Sequence, residues 1–232
     1  MNKCYFNSDV KCGGSIVTEF VEVEQPEWEG KWNRDVIYYK AMNSCRTLSD
    51  KKVKWALNLA MSTWDLEIPI KFKSIGGKFP LTSPDIRVSF SKDDHHFKEK
   101  PSVLAYAYFP AQGTKSGEII FNDNYIWSTN GKPISVRKAK QNGWVEDGAD
   151  TNTLKTYNII HVLIHELGHS LGLRHDNHRD SKDVMDAYYS GKLELSDWDL
   201  LRIRAKYGIR VWKWWSRYAQ VKRIFARLKA NL

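Results

Sequence analysis

Three histidines and the second of two glycines within residues 165–175 have the spacing of a metal site. They lie in the segment HELGHSLGLRH. His165 and His169 are four residues apart, so on a helix both imidazoles project from one face and can share an ion. The helix should end at Gly172, because glycine adopts positive φ without strain, and the turn then brings back His175 as a third ligand. Three neutral imidazoles favour Zn²⁺ and leave one coordination position open for water.

Glu166 follows the first of these ligands and supplies the residue type that hydrolysis needs. It can lie beside the metal without binding it and take a proton from a water that the metal holds. A purely structural zinc site is the alternative, but such sites normally have a fourth protein ligand, often cysteine. No cysteine follows Cys45. The segment therefore predicts a catalytic site with one zinc ion and Glu166 as its general base.

Three helices and five strands are expected to position this segment. The first helix follows Ser49, the second runs from about Thr153 to Leu171, and the third extends from Ser196 to Gly208. The β-branched, aromatic or alternating segments that predict strands are 36–39, 70–72, 86–90, 103–109 and 118–121. The order of strand, helix, several strands and then helices indicates an α+β fold.

Composition bounds the class of protein. The 232 residues are 42% hydrophobic and 27% charged, which suits one globular domain and excludes a largely disordered chain. No run approaches the roughly 18 apolar residues of a transmembrane helix, and the first residues contain no apolar segment typical of a secretory signal. The localisation is therefore open, and extracellular action would need another route of release. Three cysteines are too few for a disulfide framework.

The chain divides into three predicted parts. Residues 1–30 form a lead segment, either poorly structured or lying as a strap over the domain. Residues 31–208 form the catalytic domain, in which 128–152 is turn-rich and polar and predicts a surface insertion. Residues 209–232 form a basic tail. Seven of the 36 lysines and arginines lie in this tail without an acidic residue, so most of the net charge of +9 belongs to it.

The segment HELGHSLGLRH resembles the metzincin zinc endopeptidases, and its SLGL part is similar to the matrixins. The similarity extends from the strand at Trp32–Tyr39 to the helix that closes at Gly208, and the segment VMDAYY resembles the Met-turn of the family. The resemblance implies a matrixin-like catalytic domain, with a twisted mixed sheet of about five strands and three main helices.

The resemblance also implies roles for single residues. Zinc would be bound by His165, His169 and His175. Glu166 would be the general base, and Met185 would lie beneath the metal as an apolar floor. An extended substrate would add as a strand along Leu104 and Ala105, and Tyr189 would line the wall of the specificity pocket.

The chain departs from the family at its second, structural zinc site, which uses three histidines and one aspartate. His95 matches one of those positions, whereas Phe97, Tyr106 and Ile120 stand at the others. One imidazole cannot hold Zn²⁺ alone. The sequence predicts that this site is absent.

The family's calcium sites are also incomplete in this chain. Asn122 and Tyr125 stand where acidic ligands are expected. Asp85 and Glu118 could still serve one weak site, with ordinary surface carboxylates as the alternative. Calcium dependence is left open.

Cys12 precedes Gly13 and Gly14 at a spacing similar to the matrixin cysteine switch. A thiolate is a strong zinc ligand, so Cys12 could block the open coordination position. Only the Cys-Gly part of the longer switch signature is present, and a plain free cysteine is the alternative.

The tail alternates apolar and basic residues at helical spacing, with tryptophans near its start. This pattern predicts binding to an anionic membrane surface or an acidic partner. The alternative is a helix packed on its own domain. Nucleic-acid binding is not expected, because no phosphate-binding or RNA-binding motif accompanies the basic residues.

The sequence thus predicts a monomeric zinc-dependent endopeptidase that acts on protein or peptide substrates. The alternative is a zinc-binding module of weak activity, docked on membranes or a partner by its tail. Glu166 separates the two hypotheses, since a module without activity does not need a base.

Overall fold

The computed structural model describes residues 3–7, 30–76, 83–145, 152–176 and 183–211. Its strands are β1 Lys3–Asn7, β2 Val36–Ala41, β3 Lys71–Ser74, β4 Ile86–Ser91, β5 Val103–Tyr108 and β6 Glu118–Asn122, followed by the short β7 Trp127–Ser128, β8 Ile134–Ser135, β9 Thr153–Leu154 and β10 Tyr157–Asn158. Its helices are α1 Asp50–Asp65, α2 His95–Glu99, α3 Val136–Gln141, α4 Ile159–Ser170 and α5 Asp197–Tyr207. The mixture confirms the α+β prediction.

The main sheet is mixed, in the order β1-β5-β6-β4-β2-β3. The pairs from β6 through β4 and β2 to β3 are parallel, and β5 runs antiparallel to β6. The five strands predicted from the sequence are all present. The sixth, β1, pairs antiparallel with β5. Of the two alternatives for the lead, the poorly structured segment does not hold for residues 3–7, because they pair with a strand about a hundred residues away, which no local pattern announces.

Helix α4 is the centre of the domain, and all of its residues are buried. It packs against α1, where the Trp64 indole donates to the Ile164 carbonyl at 3.0 Å, and against β5. The predicted start near Thr153 is six residues too early, because β9 and β10 lie in this stretch and pair with β8 and β7. The Asn158 side chain then caps α4 by accepting from the Ile160 amide at 2.9 Å.

Three other predicted helix ends are confirmed. Helix α1 follows Ser49, and α5 begins with a capping box of Ser196 and Asp199. Gly208 ends α5 with φ of 84°. The predicted insertion at 128–152 holds α3, of which Val136 and Ala139 are buried, so this part of the chain also contributes to the packed domain.

Among the described residues, no helix is both long and apolar enough to cross a membrane.

Candidate metal centre

The structure brings the three predicted histidines together. His165 and His169 lie one turn apart on α4, and Gly172 reverses the chain with φ of 92°. The His175 ring then faces the other two, as the glycine turn predicted. The Nε2 atoms are separated by 3.0 Å between His165 and His169, 3.2 Å between His165 and His175, and 3.1 Å between His169 and His175. Within the described part of the chain, no other group of three or more His, Cys, Asp or Glu side chains could hold a metal ion.

The hydrogen bonds of the rings show which nitrogens face the centre. His165 Nδ1 donates to the Val184 carbonyl at 2.7 Å, and His169 Nδ1 donates to the Leu173 carbonyl at 2.7 Å. A carbonyl can only accept, so in both rings Nδ1 carries the proton and Nε2 carries the lone pair. The Nε2 lone pairs therefore face one another, in the orientation that binds a metal ion.

These distances fit zinc. Tetrahedral Zn–N bonds of about 2.0–2.1 Å place ligand nitrogens roughly 3.3 Å apart, close to the observed separations. Burial lowers the pKa of His165 and His169 well below the ordinary value, and burial together with the nearby Arg202 lowers that of His175 to about 4. The rings are therefore neutral at physiological pH, which is the form that binds metal.

Glu166 is fully buried beside the first ligand. Neither of its carboxyl oxygens has a hydrogen-bond partner among the described residues, and burial raises its pKa well above the usual range. A buried carboxyl without a protein partner is costly unless water or a ligand satisfies it. The arrangement suits a group that exchanges a proton with a water or substrate.

Met185 packs directly against α4 between the two helical ligands. A Cβ atom built at Gly168 would lie 2.2 Å from the Met185 sulfur and 2.9 Å from its terminal methyl carbon. Only glycine permits this contact, so Gly168 is a further residue that the site requires. The sequence shows a glycine at this position, but the reason for it becomes visible only when Met185 is in place.

Tyr189 lies in an aromatic group beside α4. Its hydroxyl accepts from the Asn158 amide at 2.9 Å, and its ring meets Tyr157 and His161 edge to face at 5.2 and 4.9 Å. His161 is therefore part of this group and is fully buried. Leu104 lies with Ala105 on β5, between β6 and β1.

Three of the residues that the resemblance assigns to a structural zinc site lie in an apolar cluster. Phe97, Tyr106 and Ile120 are buried together with two further side chains of β5, Val103 and Tyr108. The Tyr106 hydroxyl donates to the Asp94 carboxylate at 2.9 Å, and the one remaining histidine of the set, His95, is exposed and lies 3.5 Å from Glu99.

The two carboxylates considered for calcium have protein partners. Asp85 pairs with Arg34 and accepts from the Tyr38 amide at 2.9 Å. Glu118 lies 3.0 Å from Lys115. Cys12 and residues 212–232 lie outside the described residues. Arg210, assigned to the tail from the sequence, is hydrogen-bonded at and just beyond the C-terminal end of α1. Its guanidinium donates to the Ile68 carbonyl at 2.8 Å and to the Asp65 carboxylate at 3.1 Å.

Comparison with known proteins agrees with the fold and the site. The matrixin family model matches residues 31–208. Matrilysin of Felis catus is 29% identical over 188 residues, covering 78% of this chain and 61% of matrilysin. Interstitial collagenase of Sus scrofa is 28% identical, covering 85% of this chain and 36% of the collagenase. Karilysin of the bacterium Tannerella forsythia is 27% identical, covering 77% of this chain and 33% of karilysin.

This chain thus spans less than two thirds of the length of each of these relatives. The family model covers the whole range from before β2 to the end of α5, including the three histidines, Glu166 and Met185. The chain is a member of the matrixin family.

Proposed function

We propose that the protein is a zinc-dependent endopeptidase that hydrolyses peptide bonds of protein substrates. The observation that carries the proposal is the convergence of three neutral imidazoles, with Nε2 atoms 3.0–3.2 Å apart, beside the buried and unpartnered carboxyl of Glu166. One of the relatives is named interstitial collagenase, and this name denotes a peptidase. A site that only held zinc would not require a buried carboxyl at this position.

The proposed roles follow from the chemistry of the residues. The three histidines hold zinc, which when bound supplies Lewis acidity toward a peptide carbonyl and a water molecule. Glu166 takes the proton of the attacking water and later hands it to the leaving amine. Because Glu166 is buried, its carboxyl is a stronger base when ionised than an exposed glutamate, and proton transfer near neutral pH is favoured.

We further propose that substrate lies as an extended strand along Leu104 and Ala105, with one side chain directed toward the aromatic group of Tyr189. A strand in a sheet has two edges, and in this structure β6 holds one edge of β5 and β1 holds the other. The register pairs Phe6 with Ala105 and Cys4 with Ala107. Substrate and β1 therefore need the same backbone groups, and β1 must leave before substrate can add.

This competition is tested by breaking the strand. Tyr5→Pro removes an amide donor and disfavours pairing in the middle of β1, whereas Tyr5→Ala keeps the backbone able to pair. We expect Tyr5→Pro, and deletion of residues 1–7, to increase kcat/KM for a short peptide several-fold, mainly through KM. Equal activity of the proline, alanine and unmodified proteins would contradict the competition.

Cys12 as an inhibitory thiol remains a separate proposal. Its thiol would act on the metal rather than on β5, so Cys12→Ser distinguishes the two. Activation by Cys12→Ser alone would assign inhibition to the thiol, and activation by Tyr5→Pro alone would assign it to β1.

We propose one zinc ion per chain and no structural zinc. The proposal is supported by the apolar cluster of Phe97, Tyr106 and Ile120, which offers no ligand atom apart from a phenol. The pairing of Asp85 with Arg34 and of Glu118 with Lys115 weighs against a calcium site built from these carboxylates.

We propose that the tail after Val211 binds anionic membrane surfaces and that the protein acts as a monomer without nucleic acid. The support for the tail is its composition: six basic residues and no acidic residue follow Val211, among apolar residues at helical spacing. Arg210 is left out of the proposed membrane-binding segment because its guanidinium donates to the Ile68 carbonyl and to Asp65.

The decisive experiment for the enzymatic function is digestion of a mixed proteome with and without a chelator, followed by sequencing of the new ends. We expect chelator-sensitive cleavage with a shared preference around the scissile bond. The proposal would be refuted if zinc-loaded protein produced no new peptide termini, either as the full chain or after deletion of residues 1–7.

A further inference from the structure

Helix α5 carries a buried ion pair on the side that faces the metal-binding segment. Asp199 is fully buried and Arg202 nearly so, at 0% and 3% exposure. Asp199 Oδ1 accepts from Arg202 Nη2 at 3.2 Å. Buried charges are costly, and each member of this pair also bonds a different segment of the metal centre.

Asp199 bonds the segment beneath the metal centre. Its Oδ2 accepts from the Val184 amide at 3.0 Å as well as from the Ser196 amide at 3.1 Å. Val184 precedes Met185, and its carbonyl accepts from His165 Nδ1. One residue, Val184, thus joins Asp199 through its amide and the first ligand through its carbonyl.

Arg202 bonds the segment that carries the third ligand. Its Nη1 donates to the Arg174 carbonyl at 3.0 Å, and His175 is the next residue. Two other α5 side chains bond carbonyls of the same turn, Tyr207 to Leu171 at 2.9 Å and Lys206 to Gly172 at 3.4 Å. The turn that separates the second ligand from the third is therefore held by α5 through three of its carbonyls.

We propose that Arg202 is a positioning residue for the metal, and that its guanidinium fixes His175 relative to His165 by holding the Arg174 carbonyl and Asp199 at once. Only a planar fork presents two donors in fixed directions, one to each partner. The third ligand lies outside α4, so its position relative to the helical ligands depends on such contacts. Groups that orient ligands in this way typically contribute about 10- to 100-fold in metal affinity.

The proposal rests on the proposed zinc site and is tested on zinc binding rather than on activity. Arg202→Lys keeps the positive charge, so the electrostatic field at the centre is preserved, but a single ammonium on a flexible stem replaces the fork. The matched control is Arg204→Lys on the same helix, where Arg204 pairs with Glu67 beside α1. Zinc dissociation constants are measured by chelator competition, and thermal melts are recorded on the metal-free proteins.

We expect Arg202→Lys to weaken zinc binding about 10-fold and to accelerate zinc loss, while Arg204→Lys leaves both unchanged even if the two variants melt at similarly lowered temperatures. If Arg202→Lys fails to fold, the double variant Asp199→Asn with Arg202→Gln is used, since it removes both charges together and leaves no unpaired ion. The glutamine is shorter than the arginine that it replaces and cannot reach the Arg174 carbonyl, so the double variant should weaken zinc binding at least as much. Zinc affinity like that of the unmodified protein in either variant, or equal weakening by Arg204→Lys, would overturn the proposal. If the unmodified protein bound no zinc, both the proposed function and the positioning role of Arg202 would be refuted.

Discussion

Replacing Glu166 by glutamine should separate chemistry from stability in this protein. The side chain is fully buried, and neither carboxyl oxygen has a protein partner in the described parts of the chain. Glutamine has the same shape but an amide that cannot accept a proton at neutral pH. Because the three ligands and their backbone partners are untouched, the variant should bind zinc like the unmodified protein.

The expected magnitudes differ widely. Loss of a general base typically lowers the rate about 10²- to 10⁴-fold, which corresponds to roughly 2.7–5.4 kcal/mol of activation free energy. The metal-free Glu166→Gln protein should be more stable than the unmodified protein at neutral pH, because the burial that raises the pKa of Glu166 also makes the ionised carboxyl costly in the fold. Glu166→Ala should lose as much activity and keep its zinc, but it should be less stable than Glu166→Gln because it leaves space in the core.

The assay combines kcat/KM on a fluorogenic peptide, zinc content by elemental analysis, and urea unfolding. Glu99→Gln, at an exposed position on α2, is the control and should behave like the unmodified protein in all three. The mechanism would be refuted if Glu166→Gln kept zinc and more than half of the activity. Loss of zinc in this variant would instead assign Glu166 a part in holding the metal.

Three further outcomes are expected. Elemental analysis of metal-saturated, desalted protein should find one zinc per chain, and a value near two would show that other residues rebuild the second site. Deletion of residues 212–232 should leave cleavage of a short peptide unchanged and weaken co-sedimentation with anionic vesicles, at about 1 kcal/mol for each basic residue near the surface; a lowered Tm with unchanged vesicle binding would favour packing of the tail on the domain. Burial lowers the pKa of His161 from 6.5 to about 4, so the unfolded chain takes up a proton at a higher pH than the folded protein does. The free energy of unfolding should therefore fall by about 3 kcal/mol as the pH drops through this range. Urea titrations of His161→Leu should show a shallower acid decline than those of the unmodified protein, and parallel curves would contradict the assignment.

The ligands of the metal centre could be predicted from the sequence because their geometry is local. A four-residue spacing on a helix fixes the relation of His165 to His169, and Gly172 turns the chain where a third ligand follows closely. The cap at Ser196 was predictable for the same reason, since an N-cap depends on a side chain and the amides a few residues away; Ser49 lies at the start of α1 but makes no side-chain capping hydrogen bond. The start of α4 was not, because pairing of β9 and β10 with distant strands overrides the helical preference of residues 153–158.

The sequence by itself thus determined the family and the grouping of the three histidines, and it led to the predictions of Glu166 as the base and of lost ligands at Phe97, Tyr106 and Ile120. The tertiary structure decided what depends on contacts between segments far apart in the chain. The contact of Gly168 with Met185 exists only because the Met-turn lies under α4. The pairing of β1 with β5 and the bonds from Arg202 to the Arg174 carbonyl join segments that no sequence period relates. Backbone amides and carbonyls, and buried charged side chains, take whichever hydrogen-bond partners the fold brings near them. These contacts therefore follow from the three-dimensional arrangement alone.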